Sequence, residues 1–272
     1  MMHQFSLTGK VIVVTGAAGL LGVNHIEAIA SAGGQPIMLD IDKNRLEKTA
    51  YEIGEKFNIR IPYFELDITH AIQVEKCCNE IVRTFGHIDG LINNAANNPK
   101  VETDEIDSQS RVERFNMNQW DADISVGLTG AFLCTKYFGE AITKQGGSII
   151  NISSDLGIIG PDQRLYEIPG IAPENQPVKP VSYSVVKAGL IGLTRYTATY
   201  WADKKVRCNA LCPGGVENNQ TNSFVAKLTS LIPMGRMAYQ DEYQGSIIFL
   251  LSDASNYITG TTLISDGGRT VW

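Results

Sequence analysis

The stretch Val11-Ile12-Val13-Val14 runs without a break into Thr15-Gly16-Ala17-Ala18-Gly19-Leu20-Leu21-Gly22. Four consecutive β-branched apolar residues suit a strand buried on both faces, as in a parallel sheet. The glycines that follow permit a tight turn and a close backbone approach, and the residues after them read as a helix. A strand, a glycine turn and a helix in that order present N–H groups and the positive end of a helix dipole to an anion such as a pyrophosphate. A tight turn with no ligand is the alternative, so the rest of the chain has to decide.

Outward from this turn the same rhythm repeats. Short apolar runs at 37–39, 61–64, 88–92, 148–152, 206–211 and 262–264 alternate with helical patterns such as 43–57, 70–85 and 181–203. Strand–helix alternation predicts an α/β chain: one doubly wound parallel sheet of about seven strands with helices on both faces. No composition break appears, which predicts a single domain over residues 1–272. Residues 160–180 interrupt the pattern with Pro161, Pro169, Pro173, Pro177 and Pro180, half of the chain's 10 prolines. Helix and central strand are both disfavoured there, so a long irregular loop is expected, either a functional one or a surface insertion.

The 272 residues carry a net charge of -6, with 43% hydrophobic and 19% charged residues. That composition excludes a disordered chain. Without a basic cluster, it argues against a nucleic-acid or anionic-membrane surface. The odd cysteine count (Cys77, Cys78, Cys134, Cys208, Cys212) contains no CxxC pair and reads as reduced, buried thiols of a cytoplasmic protein. No metal site is expected. The first residues do not read as a signal peptide, and no apolar run is long enough to span a bilayer.

Two groups of residues carry chemistry. Asp40 closes the second run, where a carboxylate can accept hydrogen bonds from both hydroxyls of an adenosine ribose and repel a 2′-phosphate. No Arg or Lys stands at 17, 18 or 41, so NAD is expected over NADP. Asp40 could instead cap the next helix, but Asp42 is available for that role. Asp67 follows the third run, and Asn93-Asn94-Ala95-Ala96 the fourth. The second group is Ser153 and Ser154 after the run at 148–152, then Tyr183 and Lys187. The i,i+4 spacing puts the phenol and the ammonium on one helix face, where the ammonium should lower the phenol pKa for proton transfer. Tyr200 and Lys204 share the spacing but sit at the far end of that helix, and read as packing and surface residues.

With these residues in order, the chain resembles the short-chain dehydrogenase/reductase family over almost its whole length. The resemblance rests on TGAAGLLG, Asp40, Asp67, NNAA, SSDLG, YSVVK, NALCPGG and YITGTTLISDGG. It implies a Rossmann-type fold, a nicotinamide cofactor and a homotetramer or homodimer. It places Gly16, Gly19, Leu20, Leu21 and Gly22 at the phosphates, Asp40 and Ile41 at the ribose, and Asp67 and Ile68 at the adenine. Asn93, Asn94 and Ala95 then fall beside the adenosine ribose, and Pro213, Gly214 and Val216 beside the nicotinamide. Ser154, Tyr183 and Lys187 match the catalytic set, with Lys187 also on the nicotinamide ribose; Thr221 matches a downstream threonine.

Three departures stand out. The turn has Leu20 where shorter members have Gly, as in sugar-nucleotide-modifying members. Gly127 stands where an Asn often completes the catalytic set. The interval from Ser154 to Tyr183 is about twice the usual one, so segment 160–180 is an insertion beside the substrate.

The variable positions Asn97, Asn98, Asp155, Arg164, Tyr166, Glu217, Asn218, Asn219 and Gln220 form a polar set that suits a hydroxylated, sugar-like substrate, and Arg164 or Lys179 could meet an anionic group. The turn and insertion also resemble, more distantly, members tied to surface-carbohydrate or flagellin-glycan pathways. The expectation is an NAD-dependent oxidoreductase interconverting a secondary alcohol and a ketone. The alternatives are a 3-oxoacyl-thioester reductase and a low-turnover NAD-binding sensor or scaffold.

Overall fold

A computed structural model describes residues 3–97 and 108–272. Asn98, named above among the substrate-side residues, lies outside the described residues. Seven strands form one parallel sheet: β1 (Val11–Thr15), β2 (Gln35–Asp40), β3 (Tyr63–Glu65), β4 (Gly90–Asn93), β5 (Gly147–Ile152), β6 (Val206–Pro213) and β7 (Thr262–Ser265). Their spatial order is β3-β2-β1-β4-β5-β6-β7. The chain builds outward from β1 to β3, then returns to lay β4 against β1. That reversal opens a crevice at the carboxyl ends of β1 and β4, the place where open α/β sheets bind ligands.

The helices are α1 (Leu20–Ser31), α2 (Lys43–Phe57), α3 (Ala71–Phe85), α4 (Met117–Ile124), α5 (Ala131–Ile142), α6 (Val181–Tyr200), α7 (Asn222–Thr229) and α8 (Gln244–Leu251). Alternation along β1 divides the core. Ile12 and Val14 pack with α1, α2 and α8, whereas Val11 and Val13 pack with α3 and α5. Every residue of β1 is buried, which is why its sequence shows a continuous apolar run.

Local chemistry sets the boundaries. Asp42 caps α2 by accepting from the Arg45 amide, so Asp40 is spared that role. The third strand starts at Tyr63, two residues later than its apolar run predicts, because Pro62 has no N–H to give the ladder. The predicted helix 181–203 ends at Tyr200 and passes through a short 3-10 turn into left-handed Lys205. Between α4 and α5 the helix continues through a π turn, Ser125–Gly130.

All five cysteines are buried and unpaired. Burial pushes the thiols of Cys77, Cys78 and Cys208 up to about 12, and Cys134 and Cys212 also shift upward. Among the described residues no group of side chains could hold a metal ion, and no helix is long and apolar enough to cross a membrane.

Candidate active site

The crevice is a cavity of about 630 Å³ that runs from the glycine turn to the carboxyl ends of β5 and β6. Its nucleotide end is built on close backbone packing. Gly16 has φ +60°, and a Cβ there would lie 2.8 Å from Ala95 Cα. A Cβ on Gly22 would fall 2.2 Å from the Gly16 carbonyl oxygen, so Gly22 packs the turn without lining the cavity. Thr15 Oγ1 accepts from the amides of Asn94 and Ala95 at 3.0 and 3.1 Å, and Asn94 Nδ2 returns hydrogen bonds to the carbonyls of Thr15 and Gly16, both at 3.0 Å. These four bonds tie the ends of β1 and β4 together. No side chain caps α1 at Gly19. This tight, uncapped turn fits a pyrophosphate.

Gly16, Gly19, Leu20 and Leu21 line this end, as do Asp40, Ile41, Asp67 and Ile68, with Asn94 and Ala95 on the β4 side. The Asp40 carboxylate is held by the amides of Ala18 at 3.0 Å and Asp42 at 3.1 Å. Burial tends to raise the Asp67 pKa, but two hydrogen bonds from Thr69 more than offset it and the carboxyl shifts down. Asn93 does not line the cavity. It is buried, and its Nδ2 donates to Thr135 at 3.0 Å and Asn151 at 2.8 Å, pinning β4 to β5 and α5.

One residue here was missed in the sequence. Arg45, in the first turn of α2, lines the cavity near Asp40 and donates from Nη2 to the Ala18 carbonyl at 2.7 Å. A search confined to positions flanking the glycine turn and Asp40 passes over it, because a helical turn folds it back.

At the other end, Ser154, Tyr183 and Lys187 share the cavity wall with Pro213, Gly214 and Val216. Ser153 is buried and donates to the Lys187 carbonyl at 2.7 Å, locking β5 to α6. Lys187 Nζ donates to the Ile152 carbonyl at 2.8 Å, and burial lowers its pKa to about 8. Lys187 lies 5.7 Å from the Tyr183 ring centre, and Lys179 lies 4.0 Å from it.

The phenol does not follow the sequence expectation. Burial pushes the Tyr183 pKa up, a hydrogen bond with Ser154 opposes the rise, and the negative charge of Asp155 adds to it. The desolvation of the hydroxyl therefore outweighs the hydrogen bond with Ser154 in this geometry.

The substrate-side predictions divide. Asn97, Asp155, Tyr166, Lys179, Asn218 and Gln220 line the cavity. Asp155 is committed to an ion pair with Arg269, at 2.6 Å, and Arg269 also lines the cavity. Arg164 does not reach it: its guanidinium is 78% exposed and paired with Asp162. Glu217 and Asn219 are not among the lining residues, and Thr221 caps α7. Tyr200 and Lys204 also lie elsewhere, Tyr200 stacked on Tyr196 and Lys204 paired with Asp203.

Segment 160–180 contains two short 3-10 turns, Gln163–Tyr166 and Pro173–Asn175. Lys227 of α7 donates to its Arg164 and Glu167 carbonyls, and Leu165 packs on Leu228 and Met237. Insertion and α7 thus form one apolar wall beside the polar floor, a feature that polarity counting along the chain missed.

Two family models match the chain: short chain dehydrogenase over residues 10–166, and enoyl-(acyl carrier protein) reductase over residues 171–270. An NADP-dependent mannitol dehydrogenase of Hypocrea jecorina is 32% identical over 99% of this chain and 96% of its own length. A 3-oxoacyl-(acyl-carrier-protein) reductase of Thermotoga maritima is 33% identical over 97% of this chain and 99% of its own. The crystal structure of an NAD+-bound xylitol dehydrogenase superposes with a TM-score of 0.83 at 25% identity, covering 96% of this chain and 99% of that one. The seven-stranded parallel sheet agrees with these matches, and the chain belongs to the short-chain dehydrogenase/reductase family of oxidoreductases acting on alcohol and ketone groups.

Proposed function

We propose that the protein is an NAD-dependent dehydrogenase or reductase that interconverts a secondary alcohol and a ketone on a polyol or sugar-like substrate. The observation that carries this reading is the single cavity joining Asp40 and the glycine turn to Ser154, Tyr183 and Lys187. A bound nicotinamide accepts or supplies the hydride. The chain's own groups handle the oxygen. Ser154 Oγ and Tyr183 Oη hold it, and Tyr183 takes the hydroxyl proton in oxidation or returns it in reduction. Lys187 stabilises the phenolate form, and the apolar wall from the insertion and α7 keeps water from the reacting carbon. The polar floor at Asn97, Asn218 and Gln220 suits hydroxyl groups, and the names of the mannitol and xylitol dehydrogenases support a polyol.

NAD is favoured by Asp40, a carboxylate that lines the cavity beside the glycine turn. NADP is the second reading, supported by Arg45 in the same corner and by the NADP-dependent mannitol relative. We also take the protein to be a cytoplasmic homo-oligomer; exposed Phe132, Tyr196 and Tyr200 on α5 and α6 support an assembly face.

The test is a thermal-shift and turnover screen with NAD(H) and NADP(H) against polyols, sugars, sugar acids and acyl thioesters. Stabilisation by NAD(H) with turnover of a polyol or sugar is the expected result. Turnover of acyl thioesters alone overturns the substrate class, and stabilisation by NADP(H) alone overturns the role given to Asp40.

A further inference from the structure

We propose that Arg269 is a positioning residue for Ser154: by neutralising Asp155 it releases the serine hydroxyl proton toward the oxygen at Tyr183. The proposal rests on the reading of Tyr183 as the acid/base. Ser154 has one O–H, and in the structure it donates to Asp155 Oδ1 at 2.8 Å. An ionised carboxylate is the strongest acceptor available there. Left alone, it would hold that proton and leave Ser154 only lone pairs for the phenolate and the substrate oxygen.

Arg269 changes the competition. Its Nη1 donates to Asp155 Oδ2 at 2.6 Å, and the two side chains are only 7% and 4% exposed. The Leu156 amide also donates to Oδ1, at 2.8 Å. Two further donors thus share the carboxylate with Ser154 and weaken its hold on the serine proton. The same pairing offsets a negative charge that opposes ionisation of Tyr183. The other groups facing that phenol are Lys187 on its own helix, Lys179 just before it and Cys212 on β6. On its remaining side Asp155 is near the Tyr243 hydroxyl.

The chain builds a turn to deliver the guanidinium. Asp266 accepts from the amides of Gly268 at 2.9 Å and Thr270 at 2.8 Å. Gly267 and Gly268 adopt φ +66° and +90°, which reverses the backbone after β7 and aims Arg269 back at β5.

The experiment compares wild type, Arg269→Met, Arg269→Lys and Asp155→Asn/Arg269→Met in pH profiles of kcat and KM, with Tyr183→Phe as reference. An ultraviolet titration of tyrosinate, with the Tyr183→Phe spectrum subtracted, reads Tyr183 without turnover. Arg269→Met should lower kcat by about tenfold to a hundredfold with KM little changed, and raise the Tyr183 midpoint by about one pH unit. Arg269→Lys should recover most of the loss. The double variant, which has no charge to neutralise, should return to within about threefold of wild type.

A wild-type kcat and midpoint in Arg269→Met overturns the proposal, as does a double variant no better than Arg269→Met. If Arg269→Met does not fold, the double variant decides: a profile near wild type supports the proposal, and a tenfold loss overturns it. Full turnover in Tyr183→Phe would instead overturn the acid/base reading.

Discussion

Gly127, in the π turn between α4 and α5, faces Val186 on α6 so closely that a Cβ at 127 would lie 2.5 Å from Val186 Cγ1. Val186 is three residues beyond Tyr183 on the same helix, so this contact helps set where the phenol stands. An Asn side chain at this position would need space that this chain has given to Val186. Gly127→Asn should therefore destabilise the fold by about 1–3 kcal/mol and lower kcat, because the stiff valine cannot rotate away. Adding Val186→Ala should recover most of the loss. Melting temperature and kcat of both variants check this, and a fully stable Gly127→Asn would show that α6 yields more easily than its packing indicates.

Tyr183→Phe should lower kcat by about a hundredfold to ten-thousandfold while the thermal shift given by the cofactor persists, since the phenol lies at the substrate end of the cavity. Lys187→Met should also abolish turnover, but with a gain in stability. Burial lowers the Lys187 pKa from 10.5 to about 8. A lysine with a depressed folded pKa contributes stability that grows as pH rises from about 8 to 10.5, so at pH 7 the charged form is held at a cost. Removing it should raise stability by about 1–3 kcal/mol at pH 7, less whatever is lost at the Ile152 carbonyl. Urea midpoints at pH 7 are the measurement, and a destabilised Lys187→Met would mean that the hydrogen bond outweighs desolvation.

Asp40→Ala should raise KM for NAD and lower KM for NADP, changing the preference by about tenfold or more. Arg45→Ala should act in the opposite sense, weakening NADP and leaving NAD nearly unchanged. Paired kcat/KM values for the two cofactors settle the point. No change in either variant would mean that the adenosine sits away from the corner formed by Asp40 and Arg45.

His25, fully buried in α1, has its pKa lowered to about 4 by burial, with Asn94 pulling only partly the other way. Its unfolded value is near 6.5, so between the two values the unfolded chain binds more protons. The stabilisation is complete above about pH 6.5 and is lost as pH falls toward 4. This group alone should remove about 2 kcal/mol between pH 7 and pH 5. His25→Leu should flatten that part of the urea-midpoint curve; an unchanged slope would place the acid sensitivity elsewhere.

Much of this molecule was readable from one-dimensional pattern. The inner strands of the sheet, such as β1, β4 and β5, appear as continuous apolar runs because both faces are covered. Asp40, Ser154, Tyr183 and Lys187 could be found because each follows a strand end or starts a helix at a fixed offset. What escaped was set by contacts across the fold. Arg269 stands 114 residues beyond Asp155 and reaches it only through a glycine turn. Arg45 returns to Ala18 through one helical turn. Arg164 looked suited to an anion but has a nearer partner in Asp162. The upward shift of the Tyr183 pKa depends on burial, which i,i+4 spacing does not encode.

The buried cysteines have a practical consequence. Alkylating reagents and peroxides attack thiolate, and buried thiols pushed up to about 12 expose almost none of it at neutral pH. The native chain should therefore resist such reagents until it opens. Cys77, Cys78, Cys134 and Cys208 lie in the layer with α3 and α5, while Cys212 packs with Ile191 against α6. Pulsed labelling followed by mass spectrometry would then time the loosening of each region separately, making five silent side chains the molecule's own gauge of local unfolding.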